Sequence, residues 1–411
     1  MKIAIIGAGA SGLMCACKLA EQHTVMVFDK NSTSGKKLLL TGKGRCNITN
    51  MVEPSEFLNS IPHNSKFLVT ALNSFTPADT ITYFESIGVK TSVEGSNRVL
   101  PSIGRAIAVK EALENTAKTQ GVKFKFNSQV LKVERVDEGF ILETICLATQ
   151  SKPQHLVDAV IIATGGVSYP LTGSTGDGYE FAKEFGHNII PPRPALCGLQ
   201  LDRLMGAPGS SVVCGIEIVD SDFNPTTNKQ IGEMLFTKTG VSGPTIFKAV
   251  SDFKGQSIKG HFLQINFTPN YTREKLQEKL SKILKENAKK TCFYVFREFV
   301  SVNLANWLVD NSKIHKAKPC EKFTDKEREK IFLMLNCSQV PIKDFENIDT
   351  ATITRGGVDI KDIDPKNMQS KLIKSLFFIG EVLDIDGLSG GFNLQIAFST
   401  AAACAEYLKN I

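Results

Sequence analysis

The sequence predicts an α/β protein with a Rossmann-like dinucleotide-binding domain built from both chain ends, interrupted by a β-barrel-like insert and a small helical bundle. Three observations predict it. Residues 2–29 run as apolar strand, glycine turn, helix, second strand and terminal acid. Two distant segments, Asp158–Thr164 and Leu376–Ile379, are apolar on both faces and end near glycine, as strands of a buried parallel sheet do. Between them the composition changes twice, first to short strand-sized runs with turns, then to charged segments of helical period.

The first unit carries the most chemistry. Lys2–Ile6 reads as a strand, and Gly7, Ala8, Gly9, Ala10, Ser11 and Gly12 follow at once as G-x-G-x-x-G, opening a helix to about Gln22. Gly7 allows the tight turn, Gly9 lets the backbone approach a diphosphate, and Gly12 lets helix and strand pack closely. The helix N-terminus presents free N–H groups and a partial positive charge. Asp29 ends the second strand, Thr24–Phe28, where a carboxylate would accept hydrogen bonds from ribose hydroxyls.

A ligand touched at residues 7–12, near 163–166 and near 380–393 is long, and FAD fits it. Glu381 is expected at the ribityl–phosphate junction. Gly390 and Gly391, opening the last helix, would aim its N–H groups at the flavin N1–C2=O edge. Gly35 to Asn47 alternates glycine with Lys, Arg and Thr, so it reads either as a backbone cradle for phosphate or as a solvated basic loop. Cys46 within it lacks a Cys-x-x-Cys partner and is expected to be a structural thiol rather than a redox group. Leu171–Gly178 is expected to line the crevice.

Val122–Phe126, Val130–Val136 and Gly139–Ile145 read as strands, the last two forming a hairpin at Asp137-Glu138-Gly139. Pro191-Pro192-Arg193-Pro194 is taken as a domain boundary. Residues 191–270 are expected to form the first part of a β domain, with strands at Ser211–Val219, Met234–Thr237 and His261–Phe267. Residues 271–340 are expected to hold three helices. Their stripes are Leu276/Leu280/Ile283/Leu284, then Phe296/Phe299/Val300/Leu304/Trp307/Leu308, then Ile331/Phe332/Leu335 after a Thr324–Glu327 capping box. Residues 341–355 are assigned to a return strand of the β insert, and 356–411 rejoin residues 1–190.

Composition narrows the class. With 411 residues, two or three domains are expected. Hydrophobic residues at 42% and charged residues at 22% exclude disorder and low complexity. No run is long and apolar enough for a membrane helix, so no membrane partner is expected. The apolar start is explained by its glycine spacing rather than as an export signal. Ten cysteines without zinc spacing predict reduced thiols, no metal and a cytoplasmic protein. The net charge of +6 is mild, its excess concentrated between Tyr271 and Lys330, and no basic stripe interleaved with aromatics indicates nucleic acid.

At this point the chain resembles a known family, the YhiN/BaiN-type (aminoacetone oxidase-like) NAD(P)/FAD-dependent flavoprotein oxidoreductases of bacteria. The blocks that carry the resemblance are I-I-G-A-G-A-S-G-L from Ile5, G-K-K-L-L-L-T-G-K-G-R-C-N-I-T-N from Gly35 and A-T-G-G-V-S-Y-P-L-T-G-S-T-G-D-G-Y from Ala163. Three more are F-T-K-T-G-V-S-G-P from Phe236, T-R-G-G-V from Thr354 and G-E-V-L-D-I-D-G-L-S-G-G-F-N-L-Q from Gly380. They run nearly end to end. The G-R-C-N and G-E-V-L-D blocks are specific; G-x-G-x-x-G is not. The resemblance implies a two-lobed arrangement and FAD rather than NAD as resident cofactor. It implies contacts at Gly7, Gly9, Ser11, Gly12, Asp29, Lys30, Lys37, Thr41, Gly42, the backbone of Val130, Ala163, Thr164, Gly165, Gly380, Glu381, Gly390, Gly391, Phe392 and Asn393, with Arg45 and Asn47 alongside. Lys43 stands where many relatives carry glycine.

The expected activity is that of an FAD-dependent oxidoreductase, passing hydride through flavin N5 between a small organic substrate or NAD(P)H and an acceptor. No second dinucleotide fingerprint is present, so NAD(P)H is considered only as a transient electron donor. The alternatives are a flavin-dependent tRNA- or nucleic-acid-modifying enzyme and a non-catalytic flavin-binding interaction protein. No catalytic acid or base is assigned, because the six histidines show no spacing logic. Oligomeric state is left open.

Overall fold

The computed structural model describes residues 1–411 except 204, 205 and 207, three positions inside the expected β insert. The chain divides into two compact units, residues 1–195 with 348–411, and residues 196–347.

The first unit is organised by a five-stranded sheet in the order Leu376–Phe378, Ala159–Ile162, Lys2–Ile6, Thr24–Phe28, Lys123–Lys125. Every neighbouring pair is parallel, with Ile5 opposite both Ile161 and Val27, and Ile161 opposite Phe377. Ile3, Ile5, Val160, Ile161 and Phe377 are fully buried, as expected of strands covered on both faces. The first helix, Ala10–Leu19, packs against the last, Phe392–Lys409. Ala401, Ala403 and Ala405 keep that last helix slim, and both chain ends therefore share one core.

The hairpin forms as expected, Ser128–Val136 against Gly139–Cys146 closing at Val136 and Gly139, and Gln154–Val157 adds a third strand. The proline run ends at the boundary between the two units, but it is itself part of a strand. Ile189–Ala195 is a strand paired with Ile353–Val358, irregular between Ile190 and Arg193 where two prolines lack the N–H to continue the ladder. The chain divides after Ala195, and Ile353–Val358 belongs to the first unit.

The second unit holds a closed barrel of Leu199–Leu201, Gly240–Ser242, Gln230–Phe236, Ser211–Val219, Phe262–Asn266 and Ser338–Phe345. The strand that returns from the helices to the barrel is thus Ser338–Phe345, shorter and earlier than 341–355. Four α-helices, not three, lie between Phe262–Asn266 and this strand: Arg273–Glu286, Cys292–Arg297, Val302–Ser312 and Asp325–Asn336. The aromatic stripe that reads as one helix is two, because the chain turns at Phe299–Ser301 and Ser301 begins a new helix. The Thr324–Glu327 capping box is present, both reciprocal hydrogen bonds made.

Candidate functional site

Because the five strands are parallel, their carboxyl ends share one edge of the sheet. From Lys2–Ile6 the order proceeds to Thr24–Phe28 on one side and Ala159–Ile162 on the other, so the sheet changes direction there and opens a crevice. Gly7, Ala163 and Gly380 are brought to that edge by three adjacent strands.

The three fingerprint glycines have different reasons. Gly7 has φ of +108°, and a Cβ there would lie 2.4 Å from the Ala163 carbonyl oxygen. A Cβ on Gly12 would lie 2.0 Å from the Gly7 oxygen. At Gly9 a Cβ would meet nothing within 4 Å, and no side chain caps the helix that Gly9 begins. Packing therefore does not require glycine at 9; space above an uncapped helix N-terminus is what a diphosphate requires. Asp29 completes the turn. Its Oδ2 accepts from the Ala8 N–H and its Oδ1 from the Asn31 N–H, both at 2.8 Å, leaving a lone pair on each oxygen for ribose hydroxyls.

The cations expected around a phosphate are committed elsewhere. Lys30 pairs with Asp177 at 2.7 Å and also donates to Thr175, locking the 171–178 loop to the second strand. Lys37 donates to both oxygens of Glu381 at 2.8 Å and to Ser168 Oγ at 2.6 Å. Glu381 also accepts from the Thr354 N–H at 2.9 Å, while Thr354 Oγ1 accepts from the N–H groups of Val167 and Ser168. Arg45 pairs with Glu94, and Thr41 Oγ1 donates to the Leu38 carbonyl at 2.7 Å.

In the Gly35–Asn47 loop, Gly42 and Lys43 are both left-handed, with φ of +56° and +57°, and Asn47 lies against Gly42. Cys46 is fully buried, and burial pushes its thiol up to about 12, so it stays protonated and inert. All ten cysteines are free thiols. Val130 is buried at the hairpin bulge.

The loop continues into Thr49–Asn50, which underlies the start of the last helix. A Cβ on Gly391 would fall 2.3 Å from the Thr49 oxygen, and Asn50 Nδ2 donates to the Gly390 carbonyl at 3.0 Å. The Asn50 Oδ1, Thr49 Oγ1 and Thr164 Oγ1 atoms are buried without hydrogen-bond partners. Thr164 Oγ1 faces Gly178, whose Cβ would lie 2.2 Å from it, whereas Thr49 and Asn50 lie against the start of the last helix, where their orphaned atoms fit a polar ligand that the chain alone does not satisfy. The side chains of Asn393 and Phe392 are engaged within the protein. Asn393 bonds Gly387 and Leu388, and Phe392 packs edge-on to Phe57 at 4.9 Å, so both shape the loop before the helix.

One constellation was not visible in the sequence. His63 Nε2 lies 2.9 Å from Asp384 Oδ2, 321 residues away, and 2.9 Å from Asn64 Nδ2; the carboxylate can only accept, so the contact with Asp384 is a hydrogen bond when Nε2 carries the proton. Asp384 is nearly buried and also accepts from the Gly356 N–H at 3.0 Å and from Asn64. Beside it, Arg355 grips Asp386 through two 2.6 Å bonds, both side chains buried. The D-x-D spacing before Gly387 and the Thr354–Val358 block were the only signals, and neither names its histidine. His63 remains 38% exposed, with Nδ1 available.

Comparison with known proteins places this arrangement. Residues 1–407 match the family model described as HI0933-like protein Rossmann domain. The chain belongs to the HI0933-like family. This HI0933-like chain is 30% identical over 424 residues to a ribosomal RNA dihydrouridine synthase of Haemophilus influenzae, covering 98% of the chain and 96% of that protein. It is 27% identical to a 3-dehydro-bile acid delta(4,6)-reductase of Clostridium scindens, covering 97% of each. The HI0933-like fold is also that of a flavocytochrome c3 fumarate reductase, at TM-score 0.53 and 17% identity over 98% of this chain and 77% of that one. A 3-ketosteroid delta1-dehydrogenase of Sterolibacterium denitrificans matches at TM-score 0.51 and 12% identity over 99% of both chains. Among the described residues no metal-holding cluster occurs, and no helix is long and apolar enough to cross a membrane.

Proposed function

We propose that this protein is an FAD-dependent reductase that saturates a carbon–carbon double bond conjugated to a carbonyl, with NAD(P)H as a transient electron donor. The observation that carries the reading is the shared sheet edge at Gly7, Ala163 and Gly380, with the unblocked Gly9 turn and the Asp29 carboxylate beside it. Two relatives that align over nearly their whole length support the substrate class. Dihydrouridine formation and a delta(4,6) reduction both saturate a double bond polarised by a carbonyl.

FAD, when bound, supplies the two-electron chemistry that no side chain here can provide. The chain's residues have four tasks. The Gly9–Gly12 N–H groups hold the diphosphate and Asp29 the ribose. Glu381 holds Lys37, which fixes the Gly35–Asn47 loop against the strand end. The last helix directs its positive N-terminal end past Gly390 and Gly391. His63, oriented through Nε2 by Asp384, would in its doubly protonated form give the Nδ1 proton to the carbon next to the carbonyl and be left as neutral imidazole, the far carbon taking the hydride that a bound reduced flavin would supply.

The test is anaerobic. Purified protein should be yellow, bleach with NADPH or NADH, and recover its colour with a 3-oxo-Δ4 steroid or a uridine-containing RNA, giving a product 2 Da heavier. Colourless protein, or reduced flavin that no conjugated acceptor reoxidises, overturns the reading.

RNA is the second reading within this class. It is favoured by the ribosomal RNA dihydrouridine synthases of Haemophilus influenzae and Escherichia coli, 30% and 29% identical to this chain.

A further inference from the structure

The sequence places an unequal charge on the second unit. Between residues 271 and 330 there are fifteen Lys and Arg against nine Asp and Glu, so this stretch holds the whole +6 of the chain. Folding concentrates part of it. The turn after Arg273–Glu286 is hydrogen-bonded to the segment before the last insert helix, Cys320 N–H to Lys290 oxygen at 2.8 Å and Glu321 N–H to Ala288 oxygen at 2.9 Å. Lys285, Lys289, Lys290 and Lys322 are thereby gathered at one end of the helical subdomain, all exposed. Among the described residues none of the four makes an ion pair. Of the nearby acids, Glu286 faces Lys282 at 3.9 Å and Glu321 is exposed. A helix C-terminus accounts for Lys285, but Lys289, Lys290 and Lys322 lie beyond the helix.

An aromatic ring sits in the same patch. Tyr294 is 48% exposed, braced edge-on by Phe293 at 5.6 Å, with the Lys290 ammonium 4.9 Å from its ring centre. Its phenol is unneeded by the core, which Val295 and Phe296 fill from the other face of that helix. Unpaired lysines around an exposed ring are the combination that binds a nucleic-acid backbone while stacking one base. An acidic protein surface would answer the charge but not the ring.

We infer that Lys285, Lys289, Lys290, Lys322 and Tyr294 form a docking surface for structured RNA. The inference rests on the RNA reading above and assigns it a place on the molecule, away from the residues that would hold the cofactor in sequence and in unit.

The experiment uses full-length protein and protein-free ribosomal RNA as the probe, with affinity measured across a salt series. Replacing Lys289, Lys290 and Lys322 by glutamine should weaken binding at least about tenfold and make the log–log salt dependence shallower by about 2, one counterion-release increment of roughly 0.7–0.9 per lost contact. Tyr294→Ala should cost about fivefold or more while leaving the salt dependence unchanged. Steroid enone turnover should be unchanged in both variants. Equal affinity and slope in the triple variant would overturn the docking surface. So would polyglutamate displacing RNA as well as RNA itself does, which would point to an acidic protein partner. Retained enone turnover with failed RNA binding sinks this surface alone. RNA held through these lysines with no turnover on any acceptor sinks the reductase reading alone.

Discussion

The Lys37 ammonium lies 2.8 Å from both carboxylate oxygens of Glu381, joining positions 344 residues apart at the carboxyl edge of the sheet. Both side chains are about three-quarters buried, so each needs the other. Glu381→Ala should strand the lysine, lower stability by about 1–2 kcal/mol and loosen FAD. Thermal unfolding and flavin content after gel filtration check this; unchanged flavin retention would remove Glu381 from the cofactor site.

Gly9→Val separates folding from binding. Nothing stands within 4 Å of a Cβ at Gly9, and the backbone there is extended, so the variant should fold with a normal circular dichroism spectrum and emerge colourless. Gly7→Ala should instead destabilise, because its Cβ collides with the Ala163 carbonyl. A yellow Gly9→Val protein would displace the diphosphate from this turn.

His63→Gln should bleach with NAD(P)H as the wild type does, yet pass electrons to a conjugated acceptor about 10²–10⁴ times more slowly. Stopped-flow measurement of the two half-reactions distinguishes this from a structural defect, which would slow both. Equal rates in the oxidative half would acquit the histidine.

Glu114 accepts from Ser34 at 2.6 Å and pairs with Lys110 and Lys118, holding the entry to the Gly35 loop. Burial raises its carboxyl, but the bonds from Lys110, Lys118 and Ser34 outweigh it and bring it down to about 2. A depressed folded value means stability present above the ordinary carboxylate range and lost as pH falls from about 5 towards 2. The contribution is on the order of 2–3 kcal/mol. Denaturant titration across that window should show the loss, and Glu114→Gln should flatten it.

Lys43 is held at φ of +57°, a region where a side chain costs about 1 kcal/mol. Lys43→Gly should raise the unfolding free energy by a few tenths to about 1 kcal/mol, the gain reduced by the freedom glycine has when unfolded. A lower midpoint in denaturant would show that the lysine side chain contributes contacts of its own.

By itself the sequence determined whatever is written in neighbouring residues: the strand–turn–helix–strand start, the hairpin at Asp137–Glu138, the Thr324 cap, and strands apolar enough to require a covered sheet. Buried strands ending in glycine also told that residues 7–12, 163–165 and 380 belong to one sheet edge, since parallel strands align their carboxyl ends. Periodicity misread what depends on a single turn. It joined Cys292–Arg297 to Val302–Ser312, and although the units do divide just past the prolines at 191–194, it did not show that these prolines lie in a strand paired with Ile353–Val358. Only the tertiary structure decided which charges are spent on one another and which remain. Lys30 and Lys37 are found paired with Asp177 and Glu381, and His63 looks idle until Asp384 arrives from the far end. The physical reason is range: hydrogen bonds and apolar period fix local elements over a few residues, whereas an ion pair depends on distance in space, which the sequence does not contain.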